Sequence, residues 1–155
     1  MEQPQSLKQV AEFHRTFRHP IIEQPAIPSA ARSELRVSLI AEELEELRQA
    51  IADNNIVEIA DALCDIQYVL SGAILEFGLG HKFKALFDEV QRSNMSKACQ
   101  TEEEAQATVV HFKEKKGEDC YYKEVEGLYL VYRTSDDKTM KSINYSPADL
   151  ASILK

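Results

Sequence analysis

Much of the chain's character lies in what it is missing. Cysteine is scarce, with Cys64, Cys99 and Cys120 only. They are odd in number, far apart, and lack the paired spacing of a zinc site, so they read as free thiols of a reducing cytoplasm. No signal-type apolar core occupies residues 1–9. The longest apolar stretch, residues 56–79, is broken by Glu58, Asp61, Asp65 and Glu76, which makes it too charged to span a membrane. Positive charge is also in deficit. The formal net charge is -8, which argues against broad electrostatic binding to nucleic acid or to an anionic membrane. No internal repeat or low-complexity segment is visible. The remainder, 44% hydrophobic and 28% charged over 155 residues, fits one ordinary globular domain with at most a small appendage.

Helical periodicity dominates the first three quarters of the chain. A first helix is expected over residues 6–17, with Leu7, Val10, Ala11, His14 and Phe17 along one side. Pro20, Pro25 and Pro28 then impose an extended connector. Ser29 or Ser33 caps a second helix that runs to about Asp53. Its apolar stripe is Ile40, Leu44, Leu47 and Ile51. Asp53-Asn54-Asn55 is a turn signal short enough to make the next helix pack antiparallel. That third helix, residues 56–77, carries a stripe at Ile59, Leu63, Ile66, Leu70 and Phe77 and ends at Gly78 and Gly80. A fourth helix covers residues 82–94. Thr101 to Glu104 has the form of a capping box and opens a fifth helix ending near Gly117. Three short strands are expected at residues 121–125, 128–133 and 139–143. Ser146-Pro147 would start a last short helix. The expected fold class is mainly α: an antiparallel helical bundle with a small C-terminal β-hairpin or three-stranded appendage. The expected division is a helical core over residues 1–116 and a β-rich tail over 117–155.

Chemistry concentrates on helices two and three. At about 100° per residue, Glu43 and Glu46 fall on the shoulder of the second helix's stripe, beside Leu39 and Ala50. Glu42 lies further round, and Glu45 points to solvent. Glu58, Asp61 and Asp65 share an arc of roughly 60° on the third helix. Ala62 and Gly72 are on that side too, and small residues leave room for a ligand. An acidic run is ordinarily a solvated helix face. Here two such runs border one core on adjacent helices, and like charges packed together need a cation. The ligands would all be oxygen, which favours Mg²⁺ or Mn²⁺ over zinc. A di-iron bundle would need Glu-x-x-His on two helices, and that sequence does not occur.

These residues resemble a known family. Glu42-Glu43-x-x-Glu46 followed by Glu58 to Asp65 is similar to the signature of all-α nucleoside triphosphate pyrophosphohydrolases. That group includes MazG-like proteins, dimeric dUTPases and phosphoribosyl-ATP pyrophosphohydrolases. The stretch from Asp61 to Leu70 is particularly similar to that group, and the element Arg92-Ser93-Asn94-Met95-Ser96-Lys97 and the end Asn144-Tyr145-Ser146-Pro147-Ala148-Asp149-Leu150 resemble one MazG-like branch of it. The resemblance implies Mg²⁺-dependent hydrolysis of a nucleoside triphosphate between the α and β phosphates, giving a monophosphate and pyrophosphate. It implies metal ligands at Glu43 and Glu46 and in the set Glu58, Asp61 and Asp65. The family's second Glu-x-x-Asp pair maps either to Glu58 and Asp61 or onto a register ending at Asp65, which puts Ala62 where Glu is expected. Glu42 or Glu46 would act on the attacking water. Asn94 and Lys97 would contact substrate, with Arg92 and Lys84 as further candidates. A homodimer or homotetramer is implied as well. Phosphoribosyl-ATP is the least favoured substrate, because the long connector and the β-like tail depart from that compact branch. His14 reads equally as lining a base pocket or as a core-edge residue. The competing readings are a non-catalytic nucleotide- or protein-binding module with a degenerate metal site, and a purely structural acidic bundle.

Overall fold

The computed structural model describes residue 2 and residues 4–155. Two compact units divide the chain after Phe83.

In the first unit, α1 (Ser6–Thr16), α2 (Ala30–Ala52) and α3 (Ile56–Glu76) form the framework. Helix α3 packs against both α1 and α2. The turn between α2 and α3 forms as its residues dictate. Asn54 adopts φ 52°, a conformation Asn tolerates, and the Asn55 side chain accepts from the amides of Val57 (3.1 Å) and Glu58 (3.3 Å). Those are donors that the first turn of a helix leaves unpaired. The proline-rich connector runs along the end of α3, where Ile22 N–H donates to Leu75 O and Ala26 N–H to Phe77 O. Gly78 makes that approach possible. It has φ 68°, and a Cβ there would sit 1.9 Å from Gln24 O.

One buried apolar cluster of this unit is Val10, Ala11 and Leu75, with Leu7 and Ile21 packed on it, and Ala50, Ala62 and Ile74 are buried as well. The expected apolar stripes of α2 and α3 only partly enter the chain's own interior. Leu44, Ile51, Leu63 and Leu70 are exposed. The α2 side chains that are buried are Arg36 and Ala50. Helices α2 and α3 meet along the shoulder of the stripe, not along its centre.

The second unit contains most of α4 (Phe83–Met95), then α5 (Glu102–Lys116), β1 (Cys120–Val125), β2 (Leu128–Arg133) and α6 (Leu150–Leu154). Thr101 caps α5 by accepting from Glu104 N–H, and the Glu104 carboxylate takes Gln100 N–H. Gly117 ends the helix at φ 66°. The strands form an antiparallel hairpin across Glu126-Gly127, both at positive φ, as a tight hairpin turn requires. Cys99, Ala105, Phe112, Val131 and Met140 form the core of this unit. The sheet has two strands, so the third expected strand is corrected to a single bridge, Tyr132 with Thr139. Its continuation is diverted at Ser142, whose N–H donates to Lys97 O and whose hydroxyl donates to Glu104. Among the described residues, no helix is long and apolar enough to cross a membrane.

Candidate active site

The carboxylates singled out from sequence lie where α2 and α3 run side by side. Glu43 and Asp65 are half-buried, whereas Glu42, Glu46, Glu58 and Asp61 are exposed. Glu43 and Asp65 line one cavity, and Glu46 and Glu58 line a neighbouring one beside Ala50. Glu43 is the electrostatic centre of the group. Burial pushes its carboxyl above the usual range, and the charges of Asp65, Glu46, Glu42 and Asp61 push it the same way. Four carboxylates acting on a fifth is an arrangement that a cation relieves. The donor set is all oxygen and therefore suits a hard divalent ion. Among the described residues, no three His, Cys, Asp or Glu side chains converge closely enough to hold a metal. Ala62 is 3% exposed and brings no carboxylate to this seam.

The cavity holding Glu43 and Asp65 has a volume of about 340 Å³. Two helical turns along from those acids, its wall changes character. Arg36 and Gly72 are each seven residues away from them, about 10 Å along the axis and on the same side of the helix. Here Glu76, 1% exposed, accepts from both Arg32 and Arg36. Burial raises the Glu76 carboxyl, but the hydrogen bonds and charges of the two arginines outweigh it and hold the group below its ordinary value. His14 completes the cluster, with Nδ1 2.8 Å from Pro20 O and Nε2 3.3 Å from Arg36 Nη2. A carbonyl only accepts and a guanidinium only donates, so the ring carries its proton on Nδ1. Burial lowers the His14 pKa, which favours this neutral form.

Gly72 makes room for the cluster. A Cβ there would lie 2.6 Å from Arg36 Nη1 and 3.2 Å from His14 Nε2. The space beside Gly72 is thus filled by a guanidinium and an imidazole. The remaining wall is aromatic: Phe13 lies parallel to His19 at 5.7 Å between centroids and edge-on to Tyr68 at 5.6 Å. His14 is buried and also lines the cavity.

Arg32, Arg36, Glu76, Phe13, His19 and Tyr68 did not stand out in the sequence as site residues. One signal was present: Glu76 is an acid inside the apolar run of α3, one residue before Phe77. A carboxylate there requires a cation, and Arg36 lies on the Glu43 side of α2.

The other expected substrate contacts belong to the second unit. Arg92 donates to Glu89, to Ser146 Oγ and to Pro147 O, and so fastens the C-terminal segment to α4. Lys97 Nζ donates to Asn94 Oδ1 at 2.9 Å. Lys84 pairs with Asp88 on the surface.

Residues 10–94 match the phosphoribosyl-ATP pyrophosphohydrolase family, a span that takes in the carboxylates, the arginine cluster and the aromatic wall. An uncharacterized protein of Acanthamoeba polyphaga mimivirus is 33% identical over 100 residues, covering 62% of this chain. The chain spans 40% of the length of that relative.

Proposed function

The chain belongs to the phosphoribosyl-ATP pyrophosphohydrolase family, within the MazG-like all-α pyrophosphohydrolases, and from that premise we propose that it is a Mg²⁺-dependent nucleoside triphosphate pyrophosphohydrolase. The family's chemistry is hydrolysis of a pyrophosphate bond. The finer reading is cleavage between the α and β phosphates, in which water adds across the bridge and the products are a nucleoside monophosphate and pyrophosphate. The observation that carries it is a single cavity lined both by the acids Glu43 and Asp65 and by the aromatic rings of Phe13, His19 and Tyr68.

In this reading Glu43, Glu46 and Asp65 would hold the metal, with Glu58 and Asp61 completing the set, once side-chain rotation draws them together around the ion. Magnesium, or manganese in its place, would supply neutralisation of phosphate charge in the transition state. Glu46 or Glu42 orients or deprotonates the attacking water. Phe13, His19 and Tyr68 offer faces on which a base stacks, and the family resemblance adds Asn94, Lys97, Arg92 and Lys84 as candidate substrate contacts. A homodimer or homotetramer is part of the same proposal, supported by the exposed apolar side chains of α2 and α3. The setting is a reducing cytoplasm, consistent with three free cysteines.

The deciding assay follows pyrophosphate release from canonical and modified nucleoside triphosphates, with phosphoribosyl-ATP included, in the presence and absence of Mg²⁺. The expected result is metal-dependent release that falls by about 10²- to 10⁴-fold in Glu46→Gln, the usual range for loss of a group that handles the proton. Ala62 favours the second reading, a binding module without turnover, since it stands in one register where the family pattern has Glu. Metal-independent stability together with no release from any substrate would select that module and end the hydrolase proposal.

A further inference from the structure

The second unit gathers cations in a way its sequence conceals. Ser142 N–H donates to Lys97 O (3.2 Å), which brings the segment carrying Lys141 beside Lys97. Lys141 Nζ lies 4.2 Å from the centroid of the Tyr145 ring. The Tyr145 hydroxyl meets Ser93 Oγ at 2.9 Å. That hydrogen bond holds the phenol below its ordinary pKa, and the charges of Lys141 and Lys97 act in the same direction. Both ammonium groups therefore act on one phenol. Among the described residues, neither lysine forms an ion pair with a carboxylate. The nearby Glu104 is committed to the hydroxyl of Ser142 and the amide of Gln100. Two lysines without a carboxylate partner on adjoining segments, Lys97 resting on Asn94 Oδ1 and Lys141 on the Tyr145 ring, stand out in a chain of net charge -8. Such a pair repels itself unless an anion joins it.

We propose that Lys97, Lys141 and Tyr145, with Asn94 at the edge, form a binding site for a pyrophosphate-type anion. Lysine provides a compact, rotatable charge for phosphate oxygens, and the tyrosine hydroxyl adds a donor. Lys141 and Tyr145 thereby join Lys97 as substrate- or product-binding residues. The identity of the ligand, as the polyphosphate end of a nucleotide or its released pyrophosphate, rests on the function proposed above. The cation cluster itself does not.

The test is calorimetric titration of the full chain with inorganic pyrophosphate in chelator, run beside the release assay. Wild-type protein is expected to bind. Lys97→Gln and Lys141→Gln are each expected to weaken binding about tenfold, the scale of one charged hydrogen bond. Lys113→Gln, which removes a lysine paired with Asp119, serves as the control and should leave affinity unchanged. Tyr145→Phe keeps both charges and should weaken binding by a smaller factor. Melting temperatures of the variants verify folding. Absence of pyrophosphate binding in the wild type, or unchanged affinity in folded Lys97→Gln and Lys141→Gln, overturns the site even if turnover is normal. Binding that depends on the lysines in a protein that hydrolyses nothing upholds the site while the hydrolase reading falls.

Discussion

Glu76 and Glu43 are both carboxylates at the α2–α3 seam, and their surroundings drive them in opposite directions. Glu76 is held by two guanidiniums. Removing its charge leaves Arg36 buried without its counter-ion, so Glu76→Gln should lower unfolding free energy by about 3 kcal/mol in a denaturant titration. Its depressed pKa means that its contribution is complete above the ordinary glutamate range and is lost as pH falls through the folded-state value. The variant's stability should accordingly change less on acidification than that of the wild type. Glu43 has a raised pKa from burial and four neighbouring acids. Ionisation at neutral pH therefore costs the folded state, and the cost is absent once pH is below the ordinary glutamate range. In chelator at pH 7, Glu43→Gln should melt above wild type, with the advantage vanishing near pH 4. Mg²⁺ should raise the wild-type melting temperature and have little effect on the variant. A Glu43→Gln protein that melts below wild type in chelator would show that the carboxylate is not under repulsion.

Helices α2 and α3 turn these side chains into a site by holding them at matched steps. Gly72 is the tightest point, since the guanidinium it faces is pinned by Glu76 and cannot swing away cheaply. Gly72→Ala sets a gain of roughly 1 kcal/mol in helix propensity against about 1–3 kcal/mol of overpacking. The net effect should be a destabilisation of up to about 2 kcal/mol, while KM for a nucleotide substrate rises because the cavity wall is displaced. Asn55→Ala removes the acceptor for two amides and should cost about 1 kcal/mol. Much at this scale was legible in the sequence. The 53–55 turn, the proline connector, the Thr101 cap and the hairpin at Glu126-Gly127 all depend on neighbours in the chain. The carboxylate pairing on α2 and α3 was legible as well, because helical period alone puts Glu43 and Asp65 on facing shoulders. Arg36 was not, since an arginine reads as surface until its partner 40 residues away is known. The extended run at 139–143 read as a strand because local pattern does not reveal that Ser142 is taken by Glu104.

On the scale of the molecule, the apolar stripes have yet to find an inside. Val37, Leu44 and Ile51 recur every seven residues on α2, and Ile56, Leu63 and Leu70 do so on α3. All six are exposed, Leu44 and Leu63 each at 52%. A seven-residue apolar repeat is the seam of helices that pack against other helices. A soluble chain rarely leaves a continuous patch of this kind to water. In the proposed assembly a second copy of the chain would supply matching helices with the same spacing. Each leucine removed from water in such an interface contributes about 1.5–3 kcal/mol, or about ten- to hundredfold in the dissociation constant. Leu44→Glu and Leu63→Glu should each loosen the assembly by at least that factor, and together they should yield monomers by sedimentation at micromolar concentration. The seam is separate from the cavity lining, so monomers retaining nucleotide affinity would make the oligomer a matter of stability. Monomers that lose it would mean that assembly completes the site. Wild-type protein sedimenting as a monomer at the same concentration would remove the second copy as the cover for these helices.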